Sequence, residues 1–340
     1  MVVAGGQFGI GPIYASTNSG ADWFQTSAPS NHWYSVASSA DGSKLAAATY
    51  GGVIYTSADS GTTWDSNNVP AHNWLSIASS ADGSTLAAVF STAQVFVSTN
   101  GGGNWVTNTT TTADLRCVVI SADGMKLAAG NNVGRIIVST DAGTTWTQPS
   151  SLVGNIYSLA ASVDCERLIA IGTALTGLRV TYTSTNFAAS WVSNNVPLNN
   201  SALAAATSAD GTKCVIVSQK NGIFSSTNAG ATWVTNDAPT LGWQTAVATA
   251  DGATFFAAAY NGGIWFSQAK PAPMLTLLPY NGDLTLSWTI PSTNFDLQQS
   301  SDLANWSDVT NEPVLNLTNL QNQTTLPVSA DSAFFRLATP

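Results

Sequence analysis

The chain has 340 residues, with ten Lys plus Arg, nineteen Asp plus Glu and a net charge of −9 at pH 7. Nucleic-acid binding needs clustered cations and docking on an anionic membrane needs a basic surface, so this balance argues against both kinds of partner. No apolar run reaches the roughly 18 residues that a membrane-spanning helix requires, so we expect no membrane insertion.

The chain begins in the middle of a repeated pattern. Its first residues, MVVAGGQFGIGPIY, lack a basic segment and a long apolar core. We therefore predict no signal peptide within this chain. Residues 2–5 and 12–16 instead match the second and third strands of the repeat described next.

An internal repeat of about 41 residues dominates the sequence. Six segments end in Trp, and successive Trp residues are 41, 41, 41, 45 and 42 positions apart. These segments are STNSGADW (16–23), SADSGTTW (57–64), STNGGGNW (98–105), STDAGTTW (139–146), STNFAASW (184–191) and STNAGATW (226–233). A second marker, SADG or a variant of it, contains Asp41, Asp82, Asp123, Asp164, Asp210 and Asp251. A period of this length is typical of four short strands, the blade of a β-propeller.

Each repeat divides into four predicted strands. In residues 74–107, these strands are WLSIASS, TLAAVF, AQVFVS and NWVTN, separated by short turns. Apolar and β-branched residues between Gly, Asn and Asp turns favour strands, and no 3.6-residue helical period appears. We therefore predict an all-β fold.

The pattern S-x-[DN]-x-G-x-x-W resembles the Asp-box repeat of sialidases, xyloglucan hydrolases and sortilin-type receptors, and we call its six copies the Asp-box segments. The resemblance implies a β-propeller of the Asp-box (BNR-like) superfamily, with these segments on the face away from any active site. An Asp or Asn side chain can accept bonds from the amides of its own turn, and Gly supplies a positive φ. We therefore interpret Asp59 and Asp141 as turn formers. Ala188 replaces Gly in the fifth segment, where we expect a distorted turn.

The strand count predicts seven blades with incomplete ends. The first strand of the repeat occurs six times, beginning near Trp33, Trp74, Leu115, Ile156, Ala202 and Trp243. The second and third strands occur seven times and the fourth occurs six times. The first blade therefore lacks its inner strand and the last lacks its outer strand. Residues 1–269 are predicted to form a seven-bladed β-propeller with four-stranded blades and open sheet edges.

Open sheet edges expose backbone groups that another strand can cover. Three sources are conceivable: residues upstream, the chain's own MLTLLP at 274–279, or a second copy, which would give rings or filaments. The candidate assembly residues are Val2, Val3, Ile264, Trp265, Phe266, Leu275 and Leu277. Self-association into a homo-oligomer or a filament is thus predicted.

A second, smaller domain is predicted at 274–340, after a Pro-containing linker at 270–273. Leu284, Leu286, Trp288 and Ile290 alternate with polar residues, as in a half-buried strand. The pattern LSW…FDLQQSSDLANWSDV…FFRL resembles the small immunoglobulin- or fibronectin-like β-sandwich that ends many secreted proteins of Verrucomicrobia-like and planctomycete-like bacteria. That resemblance implies an extracellular or cell-surface location.

The acidic residues of the propeller do not suggest a catalytic site. Glu166 is its single glutamate, and the aspartates outside the repeated turns are Asp22, Asp65, Asp114 and Asp237. The facing carboxylate pair of a glycosidase cannot be picked out among them. With two histidines in all, no metal site and no cofactor are predicted. We expect a non-enzymatic protein.

The loops opposite the Asp-box segments carry the candidate binding residues, which are Tyr50, Tyr260, Trp33, Trp74, Trp243 and His32. Aromatic rings on an uncharged surface suit sugar stacking, so glycans are a predicted partner. Packing between blades explains the three tryptophans at the heads of strands equally well. Sugar could also be attached, because glycosylation sequons occur at Asn108, Asn199, Asn305, Asn316 and Asn322.

The three cysteines, Cys117, Cys165 and Cys214, are too few and too irregular for a disulfide framework. A bridge between Cys165 and Cys214 stays open as an alternative. Taken together, the sequence favours a non-enzymatic extracellular scaffold that self-associates by strand complementation of its open edges, as in a fibre subunit. A carbohydrate-binding, lectin-like module is the alternative, and a glycoside hydrolase of the Asp-box type is the third.

Overall fold

The computed structural model divides into two compact units, Met1–Gln268 and Ala269–Pro340. The residues that it describes contain strands and no helix, and therefore no helix able to cross a bilayer. The predicted linker at 270–273 lies outside these residues. The described residues are 2–4, 9–18, 20, 22–110, 114–152, 154–174, 176–194, 196, 202–236, 238–239, 241–260, 263–268, 275–280, 283–289, 296–302, 304–311, 313–316, 321–327 and 334–338.

The first unit is a succession of small antiparallel sheets. The first sheet contains β1 (Val2–Ala4), β2 (Ile13–Ala15) and β3 (Phe24–Gln25). The second contains β4 (Trp33–Ser38), β5 (Leu45–Gly52), β6 (Ile54–Ser57) and β7 (Asp65–Ser66). The third contains β8 (His72–Ser79), β9 (Leu86–Phe90), β10 (Gln94–Ser98) and β11 (Val106–Thr109). The fourth sheet contains β12 (Leu115–Ile120), β13 (Leu127–Asn131), β14 (Arg135–Ser139) and β15 (Thr147–Ser151). The fifth contains β16 (Ile156–Ala161), β17 (Leu168–Thr173), β18 (Arg179–Ser184) and β19 (Val192–Asn194). The sixth sheet contains β20 (Ala202–Thr207), β21 (Cys214–Ser218), β22 (Gly222–Ser226) and β23 (Val234–Thr235). The seventh contains β24 (Gly242–Ala248), β25 (Thr254–Tyr260) and β26 (Gly263–Gln268).

Each sheet pairs its strands in chain order, from an innermost to an outermost strand. In the second sheet, for example, Leu45 of β5 faces Ser38 of β4 on one side and Ser57 of β6 on the other. Tyr50 also pairs with Asn73, which joins the second sheet to the third. Within the described residues, the first sheet starts at its second strand and the seventh stops at its third.

The sheets stand side by side in a ring. Their innermost strands contact one another in order, from β4 to β8 and onward to β24. Apolar residues of adjoining sheets share each core cluster, as Val95 and Val97 of the third sheet do with Leu115 and Leu127 of the fourth. The ring closes where the Phe256 side chain of the seventh sheet lies against Gly20 after β2.

The Asp-box segments form the turns between third and fourth strands. In the fourth sheet, Asp141 accepts hydrogen bonds from the Thr145 amide (2.8 Å) and the Thr145 and Ser139 hydroxyls (2.6 and 2.8 Å). The Gly143 amide donates to Ser139 Oγ at 2.9 Å. The aspartate thus holds its own turn.

The fifth Asp-box segment has the same geometry as the others. Ala188 takes the left-handed φ of 64°, and its amide donates to Ser184 Oγ at 3.1 Å, as the Gly61 amide does to Ser57 at 2.9 Å. Our expectation of a distorted turn was wrong, because alanine adopts the left-handed conformation here at an energetic cost.

The second unit contains two antiparallel sheets. One has the order β27 (Thr276–Tyr280), β28 (Asp283–Thr289), β32 (Gln321–Pro327) and β31 (Val314–Asn316), and the other β30 (Ser307–Asp308), β29 (Asp296–Ser300) and β33 (Phe334–Ala338). Their shared apolar cluster is centred on Leu286, Trp288, Leu297 and Leu326.

The three cysteines are buried and free, so the Cys165–Cys214 bridge is not formed. Burial raises the pKa of the Cys117 and Cys165 thiols to about 12 and that of Cys214 to about 11. Neutral thiols of this kind are poor nucleophiles, which fits a packing role.

Candidate functional site

Six turns carry the SADG marker, and each connects the innermost strand of its sheet to the second strand. In the second sheet, Ser39 Oγ donates to Asp41 Oδ1 at 2.6 Å and accepts from the Lys44 amide at 3.0 Å. The Ser39 hydroxyl, with further donors from Ser43, lowers the pKa of Asp41 to about 2. We call these six turns the inner turns, and their carboxylates are structural.

A chain of backbone hydrogen bonds links one inner turn to the next. The amides of Ala40, Ala81, Ala122, Val163 and Ala209 each donate to the carbonyl of the following turn's equivalent residue, at 2.8, 2.9, 2.6, 2.8 and 2.8 Å. The last acceptor is the Ala250 carbonyl. Among the described residues, the Ala40 carbonyl and the Ala250 amide have no such partner.

A cavity of about 810 Å³ lies at this end of the ring. Its wall includes Ala37 of β4, Val247 and Ala248 of β24, and Ala15 of β2. These strands flank the place where the first sheet would have an innermost strand. The wall also includes Ala81, Ala122, Val163 and Ala209, so the inner turns of all the later sheets share this cavity.

The free edge of β1 faces this inner position. β1 pairs with β2 on one side and lies beside β4, as the second strand of every later sheet lies beside the innermost strand of the next. Val2 and Val3 thus lie on the edge of β1 that has no partner among the described strands. The assembly role of Val2 and Val3, through a strand that pairs with this edge, stays a prediction.

The edge formed by β26 lies on the outside of the ring. β26 pairs with β25 alone among the described strands. Ile264, Trp265 and Phe266 are exposed, Phe266 to 57%. The assembly role of these three residues stays a prediction.

The predicted filler MLTLLP belongs to the second unit. Thr276–Tyr280 forms β27, in which Leu277 faces Leu286 of β28. Leu277 is exposed, whereas Leu275 packs partly buried against the cluster of the second unit. This segment is therefore an edge strand of the second unit's own sheet, and its role as a filler of an open edge of the ring stays a prediction.

The aromatic residues of the opposite face divide into exposed and buried sets. Tyr50 and Tyr260 are exposed to 49% and 54%, and Tyr50 stacks on Tyr34 with ring centroids 5.9 Å apart. The backbone carbonyl of the half-buried His32 accepts a hydrogen bond from the Tyr50 amide. Carbohydrate binding by the tyrosines stays a prediction.

The tryptophans that head the innermost strands form part of the core. Trp33, Trp74 and Trp243 are at most 1% exposed. Trp74 Nε1 donates to the Gly52 carbonyl of the preceding sheet at 3.0 Å. Their interpretation as ligand-binding residues is corrected, because neighbouring sheets cover both faces of each ring.

One contact on this face escaped the sequence analysis. The Arg179 guanidinium lies 3.7 Å from the centre of the Tyr157 ring, and Asn155 Nδ2 donates to the Tyr157 hydroxyl at 3.1 Å. Burial lowers the pKa of Arg179. Arg179 heads a third strand and Tyr157 lies in a first strand, so no local spacing signals the pair.

Two further carboxylates, Asp114 and Glu166, are held by neighbours, and Asp237 lies outside the described residues. Asp114 accepts from Asn132 Nδ2 at 2.7 Å and from Ser91 Oγ at 3.3 Å. Glu166 pairs with Lys126 of the adjoining inner turn. Within the described ranges, His, Cys, Asp and Glu form no group of three that could hold a metal ion.

The sequons differ in their surroundings. The Asn108 side chain donates to the Gly143 carbonyl at 2.6 Å, so a glycan there would cost this bond between sheets. Asn305 bonds Asp302 at an exposed turn. Asn316 and Asn322 lie in β31 and β32, and Asn199 lies outside the described residues.

Comparison with known proteins gives structural neighbours alone, since neither a family model nor a curated protein matches the chain. A Niastella koreensis GH74 enzyme has TM-score 0.53 and 23% identity over 70% of this chain and 37% of its own. YCF48 from Cyanidioschyzon merolae has TM-score 0.58 and 13% identity over 76% and 88%. The hydrazine synthase of Kuenenia stuttgartiensis has TM-score 0.60 and 13% identity over 76% and 92%.

The fold is a β-propeller. The all-β architecture with four-stranded antiparallel sheets agrees with these neighbours and confirms the predicted β-propeller, whereas the seven blades and the C-terminal β-sandwich stay predictions. This chain spans 37% of the length of the GH74 enzyme. Because an enzyme shares the fold, the expectation of a non-enzymatic protein, drawn from sparse carboxylates, is wrong and is withdrawn.

The turn aspartates predict how the stability of the propeller depends on pH. Hydrogen bonds from Thr145, then Ser139, lower the pKa of Asp141 to about 2, below the 3.8 of a free aspartate. A depressed folded-state pKa contributes stability that is present above about pH 4 and is lost as the pH falls toward about 2. We expect the urea midpoint to be constant from about pH 7 to 5 and to fall below about pH 4.

Asparagine provides the matched control for this effect. Asn100 and Asn228 hold the same position in other Asp-box segments and accept the same backbone bond, at 2.8 and 2.9 Å. The Asp59→Asn/Asp141→Asn variant should keep the neutral-pH midpoint and lose less stability in acid than the parent. An unchanged acid profile would contradict the assignment.

Proposed function

We propose that this protein is an extracellular scaffold whose copies associate by pairing their β26 edges. The observation that carries the proposal is the exposure of three consecutive large apolar residues, Ile264, Trp265 and Phe266, on an edge strand. Edge strands tend to pair with other strands, and such pairing would cover these apolar side chains.

The length of β26 supports this proposal. β26 has six residues, whereas the outermost strands of the other sheets have two to five. Short edge strands limit pairing with another chain. The six shorter outer strands therefore offer less backbone for pairing than β26 does.

Composition favours a second copy as the partner. Gly263–Gln268 contains no charged residue, so neither attraction to a charged partner nor repulsion between copies arises along this edge. Two identical antiparallel edges can pair around a twofold axis, which makes the contact self-complementary. The expected assembly is a dimer with one sheet continuous across the axis.

The finer family assignment supports the extracellular location. The hydrogen bonds shared by the Asp-box segments favour membership of the Asp-box superfamily. The pattern of the second unit resembles the terminal modules of secreted bacterial proteins. Export to the cell surface, with or without glycosylation at exposed sequons such as Asn305, forms part of the same proposal.

The experiment is sedimentation velocity of the full chain over a range of concentrations. We expect concentration-dependent dimers, and we expect Ile264→Lys/Phe266→Lys to weaken dimerisation at least about 100-fold, because lysines at an edge oppose pairing. The control Val106→Lys changes an equally exposed residue of the short outer strand β11 and should leave the dimer intact. A monomer at all concentrations, or equal losses in both variants, would refute the proposal.

A further inference from the structure

A groove of about 680 Å³ lies between the second and third sheets, beside the third Asp-box segment. It is lined by Asp65 and Asn68 at the outer end of the second sheet and by Gly101, Gly102 and Gly103 of the third. Its volume is within the range of pockets that bind small molecules. We call it the inter-sheet groove.

Two of the three consecutive glycines are not required by the turn itself. At the position of Gly101, Ser60 and Ala142 adopt the same left-handed conformation, with φ of 60° and 54° against 69°. The atoms nearest to a Cβ on Gly103 would be those of the Asn100 side chain, at 3.2 and 3.4 Å. The equivalent of Gly103 is Thr or Ala in the other five segments. The glycines therefore leave this wall of the groove as bare backbone.

The Gly102 carbonyl lacks the two donors that the equivalent carbonyl of the fourth sheet has. The Gly143 carbonyl accepts from Trp146 Nε1 at 2.9 Å and from Asn108 Nδ2 of the preceding sheet at 2.6 Å. Among the described residues no donor reaches the carbonyl of Gly102, and the Trp105 indole N–H is buried without a partner. Gly102 is itself a buried residue. A buried carbonyl without a donor costs free energy, so a ligand hydroxyl that bonds it would bind favourably.

The rest of the lining supplies donors and no net charge. Lys44 and Asp65 are the charged residues that line the groove, and their charges are opposite. In a later inner turn the equivalent Lys213 Nζ donates to the Asp251 carbonyl at 2.8 Å, whereas the exposed Lys44 ammonium has no hydrogen bond within the described part of the chain. The Asn68 side chain is exposed as well. The groove therefore offers donors and acceptors to an uncharged polar ligand.

We propose that the inter-sheet groove binds a neutral oligosaccharide. One sugar hydroxyl would donate to the Gly102 carbonyl, and others would accept from the Lys44 ammonium and the Asn68 amide. A hydroxyl group both donates and accepts, which this mixed lining requires. An extended peptide fits less well, because the neighbouring edge strand β7 has two residues and gives little backbone for pairing. This site is independent of pairing at β26.

The experiment titrates the isotope-labelled full chain with cellotetraose, xylotetraose and mannotetraose and follows the backbone carbonyl signals by NMR. At least one of these neutral tetrasaccharides should bind with a Kd of about 1 mM or lower. The Gly102 carbonyl signal should shift because this group gains a donor, whereas that of Gly143, which already has two, should not. The peptide tetraserine is the control for the other ligand class and should not bind.

Three variants locate the ligand and separate the two proposals. Gly103→Thr introduces a residue that other segments carry at this position, so it should fold and should weaken binding at least about tenfold. The matched control Ala231→Thr makes the same change in the sixth sheet and should bind as the parent does. Asn68→Ala removes one donor from an exposed position and should weaken binding about fivefold.

The edge variant Ile264→Lys/Phe266→Lys should bind the sugar as the parent does, so failure of the dimer and failure of this site are distinguishable. Absence of binding by all three tetrasaccharides, binding that leaves the Gly102 carbonyl signal in place, binding of tetraserine instead, or equal affinities of Gly103→Thr and Ala231→Thr would each overturn the proposal.

Discussion

A Trp74→Ala variant should lose about 4 kcal/mol of unfolding free energy. Trp74 is 0% exposed and packs edge-on against Phe90 and Phe96, with ring centroids 5.3 and 5.1 Å away. Truncation leaves a cavity between the second and third sheets. It also leaves the Gly52 carbonyl without the Nε1 donor at 3.0 Å. Both losses act at a junction between sheets.

Urea denaturation followed by far-UV circular dichroism measures this effect. Trp74→Phe keeps most of the apolar volume and should lose about 2 kcal/mol, from the hydrogen bond and the remaining void. Tyr260→Ala removes an exposed ring from the same face and should stay within about 0.5 kcal/mol of the parent. A loss below about 1 kcal/mol for Trp74→Ala would contradict its place in the core.

A Gly143→Ala variant should lose about 3 kcal/mol, for two separate reasons. Gly143 has a φ of +80°, which costs an L-residue about 1–2 kcal/mol. A Cβ atom there would also lie 2.7 Å from Val97 Cγ2 of the preceding sheet, so one of the two must move. The same denaturation experiment gives the loss.

Ala188 provides the matched variant in the reverse direction. It occupies the equivalent position of the fifth Asp-box segment with a φ of 64° and is completely buried. Ala188→Gly relieves the conformational cost and gives up one methyl contact, so a gain of about 1 kcal/mol is expected. If Ala188→Gly destabilised the chain as much as Gly143→Ala, the positive φ would not be the cause of the stability loss in Gly143→Ala.

Local sequence predicted the strands and turns well because each repeat specifies its own hairpins. The parse of residues 74–107 into four strands agrees with β8 to β11, and the Asp-box aspartates are turn formers as expected. These features depend on alternation and on Gly, Asp and Ser at fixed positions, which act over a few residues.

Features that depend on contacts between sheets were not predictable in the same way. The burial of Trp33, Trp74 and Trp243, and the inward direction of the β1 edge, follow from how the ring closes. Likewise, the sequence of β27 by itself is that of an ordinary apolar strand, and only its pairing with β28 places it in the sheet of the second unit. The chain of bonds from Ala40 to Ala250 joins residues about 40 positions apart, beyond the reach of any local pattern.

The chain of hydrogen bonds between inner turns runs from Ala40 to Ala250 and, among the described residues, is not closed between these two ends. We call this interruption the seam. The main contacts between sheets join neighbours, so the ring resembles a linear array whose two ends touch where Phe256 meets Gly20. Among the described residues, the inner turns of the second and seventh sheets each make one of these bonds, whereas those of the third to sixth sheets each make two. We therefore expect unfolding to start at the seam and the sheets farthest from it to open last.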